Sequence, residues 1–199
     1  MMDNYTLGIL WGCGQYSENR MIVRHSQRYF VEQIQAIFGR TIYEQIGTSG
    51  KKQYVLKFRM PESCLLDWGW SPRNAKVRHI PAGSDAEFLR AYLEMHSSVS
   101  WQTAYTRRDR KKYRKVRLRV YGNFDLINEI NLLISEVCGV SLKTPQKTEG
   151  ETTTYLSFAS QQELSQIYDT LHRQPCYDSF WKKYFEMMQE YALIQKNVK

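Results

Sequence analysis

The sequence predicts an α+β fold in which one unit, of order α-β-β-α-β-β-α, occurs twice in a single chain. Three observations carry this. An ungapped repeat relates residues 29–58 to residues 129–158, offset by one hundred. Apolar residues switch from helical spacing to strict alternation at matching places in the two copies. Two apolar segments, "LGILWGCGQYS" (7–17) and "AEFLRAYLEMHSSVS" (86–100), stand ahead of the copies as corresponding opening helices.

The opening segment poses a problem of its own. Leu7, Ile9, Leu10 and Trp11 read as buried helix, yet Gly8 and Gly12 interrupt it, and glycine costs a helix interior about 1 kcal/mol relative to alanine. One turn apart, the two glycines share a helix face, as a close helix–helix contact requires. Aligning the second opening helix on the first sets Ala91 opposite Gly8, Met95 opposite Gly12 and His96 opposite Cys13. Met95 is larger than its counterpart and implies a wider or asymmetric crossing.

After the opening helix, "QYSENRMIVRHS" has room for one strand and a turn. Its counterpart, "SVSWQTAYTRRDRKKYRKVRLRVYGN", is long enough for a full two-stranded hairpin. The duplication is therefore lopsided, with one strand of the first copy abbreviated. Next, apolar residues at 30, 34, 37 and 38 have helical spacing, with Gly39 as the C-cap and Gly139 in the same place one copy later. Leu56 and Phe58, like Leu156 and Phe158, alternate with polar neighbours as half-buried strands do. Gly50 and Gly150 fall at the hairpin turns. Short helices at about 61–69 and 161–172 close the copies. The expected division is a first repeat over 1–70, a connector over 71–85 containing Pro72, Pro81 and Gly83, a second repeat over 86–173 and a C-terminal helix over 174–199 packed on the core. In that last helix Phe180, Tyr184, Met187, Met188, Tyr191 and Ile194 form the apolar stripe.

The 199 residues carry a net charge of +8, which points to a polyanionic partner. Cys13, Cys64, Cys138 and Cys176 are widely spaced with no CxxC pair, which suits a reducing compartment and excludes a zinc ribbon or a disulfide framework. Asp3 and Asn4 precede a short apolar run without an early basic cluster, unlike a secretory signal, and no segment approaches the ~20 apolar residues of a membrane span. The expectation is a soluble protein, cytoplasmic or nucleoid-associated, with no membrane partner.

Taken together, the paired opening helices, the approach "HIPAGSDAEFLRAYLEMHSSVS" and the repeat order resemble the LAGLIDADG homing-endonuclease family over nearly all of residues 5–172. The resemblance implies a homing-endonuclease-like fold, with two antiparallel sheets forming a saddle and a pseudo-twofold axis through the paired helices. A monomer would then act as a pseudo-dimer, with double-stranded DNA as its partner. Gly8, Gly12, Ala91 and Met95 would form the helix interface. It also places the last acidic residue of each family motif, which holds a divalent metal at the scissile phosphates, at the positions of Cys13 and His96. Neither is a carboxylate. Magnesium demands oxygen ligands, whereas thiol and imidazole suit softer ions. Glu94 lies roughly 200° around the helix from His96, and Glu18 could reach only by loop rearrangement. A structural zinc on Cys13 and His96 lacks a second pair of ligands, and a Cys–His nucleophile lacks a third group. No intact catalytic residue, no metal site and no cofactor are therefore expected, with magnesium required only if the chain cleaves DNA through other carboxylates.

The densest charge run is "RRDRKKYRKVRLR" (107–119), nine of whose thirteen residues are Lys or Arg. Val116, Leu118 and Val120 alternate with Lys115, Arg117, Arg119 and Tyr121, so one face would cover helices and the other would carry cations. A two-stranded ribbon fits the major groove of B-DNA, arginine reads guanine there, and the tip residues Arg107, Arg108, Lys111 and Lys112 would meet phosphates. In the first copy Gln53, Val55, Lys57 and Arg59 take the equivalent face; in the second, Thr153, Tyr155 and Ser157 do. The leading reading is a DNA-binding protein without cleavage activity. A working site-specific endonuclease, an RNA-binding maturase-like factor and a protein-interaction module remain open beside it.

Overall fold

A computed structural model of the chain describes residues 2–47, 49–70, 78–105, 112–148, 153–174 and 176–196. They fall into two compact units, Met1–Met95 and His96–Lys199.

The first unit begins with helix α1 (Asn4–Cys13), whose N-terminus is capped by the Asp3 carboxylate accepting the Thr6 amide at 2.7 Å. Every residue from Tyr5 to Cys13 is buried, as expected of a helix that is apolar on all sides. Then come β1 (Gly14–Ser17), β2 (Arg20–His25), α2 (Arg28–Phe38), β3 (Tyr43–Ile46), β4 (Lys52–Arg59), α3 (Glu62–Asp67) and α4 (Ala86–His96). The sheet is antiparallel throughout, in the order β1-β2-β4-β3. The stretch expected to hold one strand and a turn holds two short strands. They are joined by a two-residue turn in which Glu18 (φ 51°) and Asn19 (φ 59°) are both left-handed. That backbone matches the twist of a tight hairpin. It escaped the sequence reading because the glycine that usually signals it is missing.

Helix α4 lies against α1 so closely that a Cβ on Gly8 would sit 2.8 Å from the Ala91 Cβ and 2.9 Å from the Phe88 carbonyl oxygen. Trp11 packs edge-on against Phe88 and Tyr92, with ring centroids 5.8 and 5.9 Å apart. At the polar side of this contact the Tyr5 hydroxyl donates to the Glu94 carboxylate at 2.5 Å. The Arg90 guanidinium lies 4.3 Å from the Tyr5 ring centroid and pairs with Glu87. Burial, reinforced by the Glu94 charge, raises the Tyr5 pKa, so the phenol stays a donor. The carbonyls that end α1 are also satisfied: Leu10 accepts from the Trp70 indole at 3.3 Å and Trp11 from the Arg78 guanidinium, a cation at the negative end of the helix. Gly14 follows at once. Its φ of −78° is ordinary, but a Cβ there would lie 2.3 Å from the Leu10 carbonyl oxygen.

The second unit contains β5 (Ser97–Tyr105), β6 (Lys112–Gly122), α5 (Phe124–Cys138), β7 (Gln146–Lys147), β8 (Thr154–Phe158), α6 (Gln161–Leu171) and α7 (Asp178–Lys196). Its antiparallel sheet runs β5-β6-β8-β7, the same topology as in the first unit. The matching helices end alike. Gly39 (φ 62°) donates to the Gln35 carbonyl at 2.8 Å, and Gly139 (φ 67°) donates to the Ser135 carbonyl at 3.0 Å. Gly50 is left-handed at the β3–β4 turn (φ 74°), and Gly150 lies outside the described residues. Strand β7 has two residues, so the second hairpin is shorter than its counterpart. Helix α7 packs by Trp181, Tyr184 and Tyr191. The Tyr184 hydroxyl donates to the Leu164 carbonyl at 2.9 Å, and Tyr191 meets Trp101 edge-on at 6.3 Å. Trp181, 1% exposed, is the largest buried side chain of this helix and was missing from the predicted stripe. Among the described residues no helix is long and apolar enough to cross a membrane.

Two predictions follow from these contacts. Gly8→Ala should destabilise the protein by about 1–3 kcal/mol through overpacking. A double-mutant cycle with Ala91→Gly, read by chemical denaturation, should show coupling above roughly 0.5 kcal/mol; purely additive effects would mean that the two residues do not meet. Burial pushes the Cys138 thiol up to about 12. At pH 8 it is almost wholly protonated and inert. Alkylation of the folded protein should therefore modify half-buried Cys64 well before Cys138, as peptide mass mapping would show.

Candidate nucleic-acid interface

In each sheet, strand alternation sends one set of side chains into the core and the other to an open face. In β6 the inward set is Val116, Leu118 and Val120, all fully buried, beneath which α7 and α5 pack. The open set is Tyr113, Lys115, Arg117, Arg119 and Tyr121, each half-buried. Register extends that face across the sheet: Ser100 lies opposite Arg117, Ser98 and Ser157 flank Arg119, and Tyr155 lies opposite Tyr121.

One of these cations, Arg119, is held by an aromatic neighbour. The Arg119 guanidinium lies 4.6 Å from the Tyr155 ring centroid, the Tyr121 and Tyr155 rings are 6.0 Å apart, and the hydroxyls of Ser98 and Tyr121 share a hydrogen bond at 3.1 Å. The Nε atoms of Arg117 and Arg119 are buried without a hydrogen-bond partner, while the residues themselves remain partly exposed. Partial burial and the adjacent Arg119 charge lower the Arg117 pKa from its ordinary value. A face that strains its own cations in this way is electrostatically ready for an anion. Lys112 is exposed and falls in the alternation of Val116, opposite to Lys115. Arg107, Arg108 and Lys111 lie outside the described residues.

The first sheet presents a second cationic face. On β4, Lys57 and Arg59 are exposed as expected, with Gln53 half-buried. Val55 departs from the expectation. It shares their alternation but is fully buried, on the central strand between its register partners Arg24 and Tyr43. The larger omission is β2, where Arg20 and Arg24 are exposed on the same face, opposite Arg59 and Val55. The pattern Arg20-Met21-Ile22-Val23-Arg24 carries the signal, with Met21 and Val23 fully buried, but it becomes readable only once β1 is recognised as a strand. Among the described residues of both open faces, those that strand alternation exposes include no carboxylate.

The helix-interface residues Gly8 and Ala91 are in direct contact. Gly12 is buried within α1, and Met95 is half-buried. Cys13, the last residue of α1, is buried, and its thiol donates to the Ile9 carbonyl at 3.2 Å. His96, the last residue of α4, is half-buried. Each is followed at once by a strand. A hard divalent ion needs carboxylate or carbonyl oxygens, and neither side chain offers one. Glu94 is buried in its bond with Tyr5, and Glu18 sits in the β1–β2 turn. Among the described residues no three His, Cys, Asp or Glu side chains are grouped to hold a metal ion.

No protein-family model and no curated protein matches the chain. Solved structures do. I-SmaMI bound to an uncleaved DNA target in the presence of calcium ions has a TM-score of 0.67 at 9% identity, covering 99% of this chain and 93% of that one. The I-SmaMI LAGLIDADG homing endonuclease bound to cleaved DNA gives 0.64 at 8% identity, with 99% and 91% covered. The I-LtrWI LAGLIDADG homing endonuclease bound to target DNA gives 0.63 at 8% identity, with 97% and 90% covered. At this level of identity the likeness is one of fold, and it extends over the whole chain: the two α+β units adopt the fold of LAGLIDADG homing endonucleases.

Proposed function

We propose that this protein binds double-stranded DNA through the open faces of its two sheets and does not cleave it. The observation that carries the reading is the row Lys115, Arg117 and Arg119 on one face of β6, bordered by Tyr121 and Tyr155, with no carboxylate among the described residues of the face. Such a ribbon matches the width of the major groove, where guanidinium groups donate to guanine and serine hydroxyls to either partner. The neighbours of the same fold bound to DNA support that choice of partner.

Non-cleavage rests on ligand chemistry. Cys13 and His96 end the two opening helices, the positions at which the resemblance places metal-holding acids. Without oxygen donors there, the residues present do not fit a magnesium or calcium ion.

Purified protein should bind duplex DNA with an affinity that falls steeply with salt, each phosphate contact contributing about −0.9 to the slope of log K against log salt. Arg117→Gln with Arg119→Gln should weaken binding roughly 10- to 100-fold at about 0.1 M salt while leaving the circular dichroism spectrum unchanged. A flat salt response, or an unchanged affinity in the double variant, would overturn the assignment. A randomised plasmid library incubated with magnesium or manganese should stay intact; reproducible cuts abolished by chelator would show a working nuclease. Tighter retention of structured RNA than of duplex DNA across the salt series would replace DNA with RNA.

A further inference from the structure

At one end of the first sheet, four cations from three elements line a single cavity of about 270 Å³: Arg20 from β2, Lys57 and Arg59 from β4, and Arg40 from the loop after α2, with Phe58 as the apolar wall. Arg20 and Arg59 lie directly opposite one another in the β2–β4 ladder. Like charges in that position repel and destabilise the pairing. None of the four makes an ion pair among the described residues. The nearest carboxylates, Glu18 and Glu62, lie in the adjoining cavity and form no ion pair with them, so an incoming anion would relieve the repulsion.

The surrounding backbone is fixed. The left-handed turn at Glu18 and Asn19 delivers Arg20. The Met60 amide donates to the Asn19 carbonyl at 3.2 Å, and the Tyr16 hydroxyl donates to the Met60 carbonyl at 3.0 Å. These bonds tie the end of β4 to the turn. On the other side, the Gln35 side-chain amide donates to the Arg40 carbonyl at 2.8 Å, which anchors that loop to α2 just past its Gly39 cap. Lys57 is oriented by the Tyr43 ring, 5.4 Å from its ammonium. Ends of long cationic side chains are mobile, but their roots are held on rigid elements.

We infer that this cavity is a phosphoryl-binding site. Arginine's fork of donors matches two oxygens of a tetrahedral oxyanion, and Lys57 adds a point charge. The adjoining cavity, about 570 Å³, shares Arg20 and Arg59 but also carries Glu18 and Glu62. Those carboxylates repel phosphate and confine it to the cationic side. Within the DNA-binding reading, on which this deepening rests, the occupant is a backbone phosphate. The same chemistry would also accept a free phosphorylated small molecule.

The test titrates the full chain with inorganic pyrophosphate at constant ionic strength, following arginine Nε–H resonances, and then measures duplex affinity across a salt series. Pyrophosphate should bind saturably and shift Arg20, Arg40 and Arg59. Arg20→Gln with Arg59→Gln should weaken that binding at least 10-fold, whereas Arg117→Gln with Arg119→Gln should leave it unchanged. For duplex DNA, the Arg20/Arg59 double variant should reduce the salt slope by about 2. An unchanged slope with pyrophosphate binding lost would identify a free phosphorylated molecule as the occupant and still support the site. Pyrophosphate that shifts none of these arginines, or that binds the double variant as tightly as the parent, overturns the site even if duplex binding stands. Pyrophosphate bound at these arginines while duplex binding is absent overturns the DNA reading and leaves the site standing.

Discussion

The close approach of α4 to α1 is the constraint on which the first unit depends. At Gly8 the two helices meet with no room for even a methyl group. Around that point the aromatic rings of Trp11, Phe88 and Tyr92 and the Tyr5–Glu94 hydrogen bond fix rotation and register. A buried carboxylate is expensive unless bonded, and here its partner is a phenol that burial keeps protonated. The consequence reaches the sheets. Helix α1 runs into β1 at Gly14 and α4 runs into β5 at Ser97, without an intervening loop. Strand side chains alternate with a period of two, so a one-residue slip at either junction would turn the outward residues of that strand, Gln15 on β1 or Ser98 and Ser100 on β5, to the wrong side. Helix position thus sets the phase of the strand that follows, and strand phase decides which of its side chains face outward beside the cationic strands β2 and β6.

The two units reach a cationic face by different means. In the second, the density lies in a single strand, β6, supported by tyrosines and serines from its neighbours. In the first, two strands contribute one or two cations each at the same end of the sheet, and a loop arginine completes the cluster. A face with mixed arginine, tyrosine and serine offers directional donors and apolar edges, which discriminate among bases. Bare clustered cations offer charge, which positions a backbone without reading it. Divergence after duplication would have left the same topology serving unequal tasks.

The parts of this architecture that were legible in the sequence share a physical cause: each depends on residues close together in the chain. Gly39 and Gly139 signal helix ends because a left-handed cap excludes most side chains. The alternation of Val116 through Tyr121 needs only local period. Gly8 raised the right question because its helix was otherwise so apolar. What escaped depends on partners far away or on unusual backbone. Glu18 and Asn19 adopt left-handed conformations that their residue types rarely announce. That single miss hid β1, and with it the outward direction of Arg20 and Arg24. Val55 alternates correctly but is fully buried between Arg24 and Tyr43 of the adjacent strands, which no local pattern reveals. Arg40 joins the cavity only through the tertiary placement of its loop.

The chemistry at the helix ends follows from the same packing. Cys13 is buried, and its thiol is satisfied by the carbonyl one turn back in its own helix. A thiol there behaves as a small apolar residue with a weak donor. A carboxylate in its place would need a counter-ion, a bound cation or a large upward shift in pKa. Cysteine at such a position carries none of the desolvation penalty that a carboxylate would. The open faces show the opposite economy. One keeps Arg117 beside Arg119 and the other keeps Arg20 opposite Arg59, with no acid among the described residues of either face, although neutral residues would relieve the repulsion. Avoiding unpaired charge at the helix ends while retaining it on both sheets is the pattern that the proposed reading, an anion held and not hydrolysed, requires.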